Sequence, residues 1–250
     1  MQHRTGTVIV VGASAGIGEM LARRLARSGR KVALLARRPA ELARIVEDLD
    51  RAAGSQRAMA YAHDVTDLPA VPALWARIEQ DLGTVDELHY VAGYLAKVEL
   101  DEFDTDKDRA QFEINTLGCV AWVNEAARRF GPAGRGCIVG ISSVAQDRGR
   151  IGRPAYCASK AGMDTFLESI RNRLWRKGVQ VTTIRPGFVD TPMTKGVEKM
   201  FWLISADRAA DLVLRAVAKR KAIAYIPARW RLMMTIIKSI PSFVFRKLNV

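Results

Sequence analysis

Cysteine is scarce. Cys119, Cys137 and Cys157 are an odd set in 250 residues, without CxxC or Cys/His spacing. This argues against a disulfide scaffold or structural zinc site and suits a reducing compartment. Histidine is equally sparse: His3, His63 and His89 lie far apart and are read as structural or exposed, so no metal is expected. No apolar stretch approaches the ~20 residues of a spanning helix. Met1 runs almost directly into the apolar run Val8–Val11, with no signal-peptide core ahead of it. A cytoplasmic protein is expected, at most peripheral to the inner face of a membrane. Acidic residues are missing after Asp211: of the net charge of +13, residues 212–250 carry +9. Such a segment reads as an interaction surface for phosphates, anionic lipid or acidic partners. Nucleic acid is not expected, since no zinc-finger, basic-zipper or RNP-like motif occurs.

What is present is 49% hydrophobic residues, enough for one large domain or two small ones. Short apolar runs alternate with longer amphipathic ones. Thr7–Val11, Lys31–Leu35, Ala58–Ala62, Glu87–Val91, Cys137–Ile141, Gln180–Ile184 and Ala222–Ile226 read as strands. Gly16–Ser28, Pro39–Arg51, Leu68–Asp81, Lys107–Arg129, Tyr156–Arg176 and Asp207–Arg220 read as helices. The alternation predicts a doubly wound parallel sheet of about seven strands with helices on both faces, a three-layer αβα fold. Ligands in such sheets bind beyond the carboxyl ends of the strands, where strand order reverses.

A glycine-rich loop, Gly12-Ala13-Ser14-Ala15-Gly16-Ile17-Gly18, follows the first strand and opens the first helix. Gly12 permits a tight turn, Gly16 lets backbone approach a pyrophosphate, and Gly18 allows close helix–strand packing. The helix start then offers free N–H groups to phosphates. A glycine loop alone is often just a turn, but the position between strand and helix favours nucleotide binding. The second strand ends in Ala36-Arg37-Arg38, where an acid would accept from the ribose of NAD. Guanidinium groups suit a 2′-phosphate instead, so NADP(H) is expected in preference to NAD(H). The bland alternative is two solvated arginines. Asp64, with Val65, follows the third strand, where its carboxylate would meet the adenine amino group or cap the helix from Leu68.

Ser142-Ser143 ends the fifth strand, and Tyr156 and Lys160 are neighbours on one helix face. An ammonium beside a phenol is expected to lower its pKa toward the working range. Ser143 would donate to a substrate carbonyl oxygen as charge develops there. Taken singly, such a Tyr/Lys pair is usually surface decoration and Ser-Ser usually a loop.

Together with the glycine loop, this set resembles the short-chain dehydrogenase/reductase family, up to about Ile226. The matching positions include Asn115 and Pro186-Gly187, and the interval of 13 residues to Tyr156 selects Ser143 over Ser142. The resemblance implies a Rossmann-type domain over 1–227 and hydride transfer between NAD(P) and a carbonyl/alcohol pair. It implies Tyr156 as acid/base and Ser143 as carbonyl anchor. Lys160 would bind the nicotinamide ribose and tune Tyr156, and Asn115 would hold a water. Pro186, Gly187, Val189 and Thr191 would meet the nicotinamide. Arg37 matches the reader of the 2′-phosphate. Two departures stand out: the family's Asn-Asn-Ala-Gly is Tyr90-Val91-Ala92-Gly93 here, and Ala15 replaces a basic residue of some NADP-using members. Ala92 and Gly93 still admit the cofactor, but the asparagine bonds are missing.

The segment 192–206 corresponds to a substrate flap. Met193, Phe201 and Trp202, with Tyr94, are candidates for an apolar substrate pocket; closing the core is the equal alternative. Residues 228–250 are a basic apolar extension, broken by Pro241 into two short segments. A peripheral membrane contact is favoured over a dimer contact or a lid, and a homo-oligomer is expected. The leading function is NADPH-dependent reduction of a hydrophobic ketone or aldehyde, lipid-like or 3-oxoacyl. The alternative is a non-catalytic dinucleotide-sensing or membrane-surface adaptor.

Overall fold

A computed structural model describes residues 6–197 and 200–248; His3 lies outside the described residues. The strands are β1 (Thr7–Val11), β2 (Val32–Ala36), β3 (Ala58–Ala62), β4 (Val85–Tyr90), β5 (Cys137–Ile141), β6 (Gln180–Pro186), β7 (Val189–Asp190), β8 (Ile204–Ser205) and β9 (Ile223–Ile226). The helices are α1 (Gly16–Arg27), α2 (Pro39–Ala53), α3 (Val71–Leu82), α4 (Thr105–Phe112), α5 (Gly118–Ala133), α6 (Pro154–Leu174), α7 (Ala206–Ala218), α8 (Trp230–Ser239) and α9 (Ser242–Phe245).

Successive side chains of a strand point to opposite faces, so a fully apolar strand must be covered twice. Strand β1 shows this: Val8 and Val10 pack with Leu21, Leu25, Leu42 and Val213, whereas Ile9 and Val11 pack with Trp75, Trp122 and Leu167. Helices α1, α2 and α7 thereby cover one face, and α3, α5 and α6 the other. The seven-stranded sheet has the order β3-β2-β1-β4-β5-β6-β9, all pairs parallel. Strand order reverses beside β1, between β2 on one side and β4 on the other, and a crevice opens there. All seven predicted strands are present, with ends displaced by one or two residues. Strands β7 and β8 form a small parallel pair that the sequence reading did not include.

The long helix predicted over Lys107–Arg129 is present as an unbroken helical run from Thr105 to Ala133, with one irregular turn inside it. Asp104 caps α4 by accepting from the N–H groups of Asp106 and Lys107, and α5 begins only at Gly118. Between them lies a wide π turn, Glu113–Leu117. A long-range contact falls at this turn: the Tyr90 hydroxyl donates to the Ile114 carbonyl at 2.5 Å. A Cβ at Gly118 would stand only 2.5 Å from that same hydroxyl.

Candidate active site

The crevice is a cavity of about 1330 Å³ at the carboxyl ends of β1, β2, β4, β5 and β6. Its floor is the turn after β1. Gly12 has φ +92°, and a Cβ there would lie 2.6 Å from the Ala92 nitrogen. At Gly18 a Cβ would reach 2.1 Å from the Gly12 carbonyl oxygen, which explains why the loop and helix need glycine at both places. Ala15 supplies no side-chain bond at the start of α1, leaving the helix N–H groups open to an anion. Ser14, Ala15, Gly16, Ile17 and Gly18 all face the cavity.

Arg37 and Arg38 form its adenosine-side wall with Ala36, His63, Asp64 and Val65. Arg38 donates to the Ser14 hydroxyl at 2.9 Å, bracing the end of β2 against the glycine loop. Asp64 accepts from the Thr66 N–H and hydroxyl at 3.0 and 2.9 Å. That backbone bond, aided by the Arg37 charge, holds its carboxyl below the usual range. It closes its own turn and does not cap the helical turn from Leu68, whose N-cap is Asp67.

Opposite this wall stand Ser143, Tyr156 and Lys160. Ser143 caps a short 3-10 turn over Val144–Asp147, accepting from the Ala145 N–H at 3.1 Å, and lines the same cavity as Tyr156. The Lys160 ammonium donates to the Ile141 carbonyl at 3.0 Å, and burial pushes its pKa down to about 8. Burial raises the Tyr156 pKa, opposed by the nearby Ser143 hydroxyl and then by the Arg153 and Arg150 charges. This corrects the expectation of a phenol shifted downward by Lys160: the ammonium is turned to the end of β5, and desolvation of the phenol dominates. The neighbouring Cys157 thiol is likewise pushed up by burial.

Asn115 sits in the π turn behind the cavity wall. Its Oδ1 accepts from the Tyr94 N–H at 2.7 Å, and its Nδ2 donates to the Tyr94 carbonyl at 2.9 Å and the Ser159 hydroxyl at 3.0 Å. It therefore ties the loop after β4 to α6. Tyr90 likewise supplies a bond of its own where the expectation saw only lost asparagine bonds. Ala92 and Gly93 line the cavity, and a Cβ on Gly93 would lie 3.3 Å from the Lys160 ammonium. Pro186, Gly187, Val189 and Thr191 complete the wall. The Thr191 methyl lies 2.9 Å from where a Gly16 Cβ would stand, so the base of the flap touches the glycine loop.

Of the expected substrate residues, Tyr94 and Met193 line the cavity, but Phe201 and Trp202 do not. Trp202 packs against Trp230 instead, ring centroids 5.2 Å apart. The sequence reading missed Arg153, Lys97 and Lys195 among the lining residues. Arg153 was findable as the residue at the start of the helix that carries Tyr156, where it is the N-cap of α6. It also missed Trp230 of the extension, whose indole nitrogen would be 1.8 Å from a Cβ on Gly187; no local signal announces that contact. His63 accepts from the Trp122 indole at 3.3 Å, and His89 pairs with buried Glu87 at 2.6 Å.

An open glycine cradle at the switch point of a parallel sheet, facing a Ser/Tyr/Lys set, defines a dinucleotide-dependent oxidoreductase. The sequence profile of the short chain dehydrogenase family matches residues 6–201, and the chain belongs to that family. It is similar to an uncharacterized oxidoreductase of Mycobacterium tuberculosis, 32% identical over 241 residues and 96% of each chain. It is also similar to gluconate 5-dehydrogenase of Gluconobacter oxydans, 36% identical over 193 residues, covering 75% of this chain and 72% of that one. Among solved structures, a short-chain dehydrogenase from Sphingobium yanoikuyae in complex with NADPH superposes with a TM-score of 0.81. It is 25% identical, covering 95% of this chain and 97% of the other. The protein is thus a short-chain oxidoreductase, of a family that works with NAD(P)(H).

Proposed function

We propose that the protein reduces a hydrophobic ketone or aldehyde, lipid-like or 3-oxoacyl, with NADPH as hydride donor and Tyr156 as proton donor. The observation that carries this reading is the convergence of Ser143, Tyr156 and Lys160 on the same cavity that the glycine loop opens. The loop's open geometry fits a dinucleotide: glycines where a Cβ would collide, and helix N–H groups without a capping side chain. When bound, NADPH supplies a hydride to the carbonyl carbon. Tyr156, kept neutral by burial, gives its proton to the carbonyl oxygen. Ser143, whose Oγ accepts from the Ala145 N–H, would donate its hydroxyl proton to that oxygen as charge develops there. Lys160 holds positive charge beside Gly93, where the nicotinamide ribose belongs. Asn115 fixes the loop after β4 through Tyr94. Leu95, Val98, Met193 and Val197 give the substrate end apolar walls. The working form is read as a homo-oligomer, and the basic extension as a peripheral membrane contact.

Tyr156→Phe is expected to lower turnover at least ~100-fold while leaving NADPH affinity within about twofold. Stopped-flow NADPH oxidation across ketones of graded chain length, with fluorescence titration of the cofactor, checks both. Wild-type turnover in this variant would remove the proton-donor assignment. For cofactor choice, Arg37→Asp is expected to weaken NADPH binding by ~1.5–3 kcal/mol, the value of a charge-assisted bond, and NADH binding far less. Equal losses for both cofactors would exclude Arg37 as the reader of the 2′-phosphate.

A further inference from the structure

We propose that α8, the segment beyond it to Leu248 and the flap tip Phe201–Leu203 form one face that docks on an anionic lipid surface, placing the cavity mouth at that surface. The substrate route rests on the reductase reading above; the docking face stands on its own geometry.

Helix α8 is apolar on two sides. Trp230 and Met234 are buried, with Ile237 beside them, against Val144, Phe188 and Tyr225. Other apolar positions stay in solvent: Leu232 is 70% exposed and Ile236 54%, one helical turn apart, and Phe243 beyond Pro241 is 63% exposed. Several large apolar side chains left in water on one short segment mark a surface built to be covered.

The flap tip touches the start of α8. Trp202 packs edge-on against Trp230, and the Arg229 guanidinium lies 4.8 Å from the centre of the Trp202 ring. Phe201, next in the chain, is 67% exposed. The other end of the flap, Met193 to Val197, walls the cavity. One short segment therefore runs from the docking face to the substrate end of the site.

The charge pattern selects the occupant. Arg229, Arg231, Arg246 and Lys247 border the exposed apolar residues, and no acid occurs anywhere in 212–250. A second copy placed face to face would bring these cations together with no acid of 212–250 to offset them. Anionic headgroups supply the counter-charge, and acyl chains cover the exposed apolar side chains. No helix among the described residues is long and apolar enough to cross a membrane, so the contact lies in the interface plane.

Sedimentation with vesicles tests the face, using the full chain and a Leu232→Glu/Ile236→Glu double variant at solvent-exposed positions. Circular dichroism establishes that the variant is folded. The wild-type chain is expected to bind phosphatidylcholine vesicles containing phosphatidylglycerol, to release them as salt is raised, and to ignore phosphatidylcholine alone. The double variant should lose binding by about tenfold or more. Arg231→Glu/Arg246→Glu should lose it comparably. Absence of wild-type binding at low salt, or undiminished binding by both variants, overturns the proposal. So does a dimer that dissociates in the double variant while neither protein binds vesicles. NADPH oxidation with vesicle-borne 2-decanone should fall in the double variant, while turnover of dissolved cyclohexanone stays unchanged. Vesicle binding without turnover of either ketone supports the docking face and counts against the reductase reading.

Discussion

Lys160 is the residue at which the electrostatic cost of this site is concentrated. Its ammonium is buried, donates to the Ile141 carbonyl, and has its pKa pushed down to about 8, chiefly by desolvation. An unfolded lysine titrates near ~10.4. Between those two values the unfolded chain holds a proton that the folded chain has released, so this group adds stability as pH rises through that window. At pH 7 both states are protonated and the full penalty stands, on the order of 3 kcal/mol. Lys160→Met keeps the stem and removes the charge. It is therefore expected to unfold at higher urea than the wild type at pH 7, with the gap shrinking at pH 9.5. A gap of the same size at both pH values would show that the ammonium carries no such penalty. The same burial keeps Tyr156 neutral, the state a proton donor needs. The presence of this trio was legible because strand-end and i, i+4 positions are local facts. The direction of the tyrosine's shift was not, because it depends on where the lysine turns its ammonium, a tertiary fact.

At the scale of elements, legibility follows the range of the interactions that decide each one. The β1–α1 unit could be read residue by residue. Gly18 answers to the Gly12 carbonyl within the loop itself, and the apolar runs carry the periods of strand and helix. The stretch after Asp104 could not. Its sequence carries one continuous helical pattern, and the π turn within it is met by partners far along the chain, Tyr90 at Ile114 and Tyr94 and Ser159 at Asn115. The flap divides the same way. Met193 follows directly from Thr191 and faces the cavity, whereas Trp202 goes to an indole in the extension, 28 residues further on. Met and aromatic content alone does not distinguish a pocket wall from a docking face.

Across the whole molecule, the extension is wired into the catalytic end of the sheet through Arg148. Its guanidinium donates to the carbonyls of Ile237, Lys238 and Ile240 at 3.1, 3.1 and 2.5 Å, satisfying groups that the end of α8 leaves free. It also lies 4.1 Å from the centre of the Phe245 ring, and Lys238 pairs with Asp147 at 3.2 Å. Val144, packed under Trp230 and Met234, directly follows Ser143. Ser143 thus rests on a turn held from beneath by α8. Arg148→Ala removes the carbonyl bonds and the ring contact, a loss of about 2 kcal/mol from charged hydrogen bonds and stacking. For a chain of this size that is expected to lower Tm by roughly 4–8 °C. Hydrogen exchange then separates coupling from simple fraying. If the extension supports the site, amides of 144–148 lose protection together with those of 230–240 in the variant. Loss confined to 230–240, with 144–148 as slow as in the wild type, would mean that α8 rests on the catalytic turn without holding it.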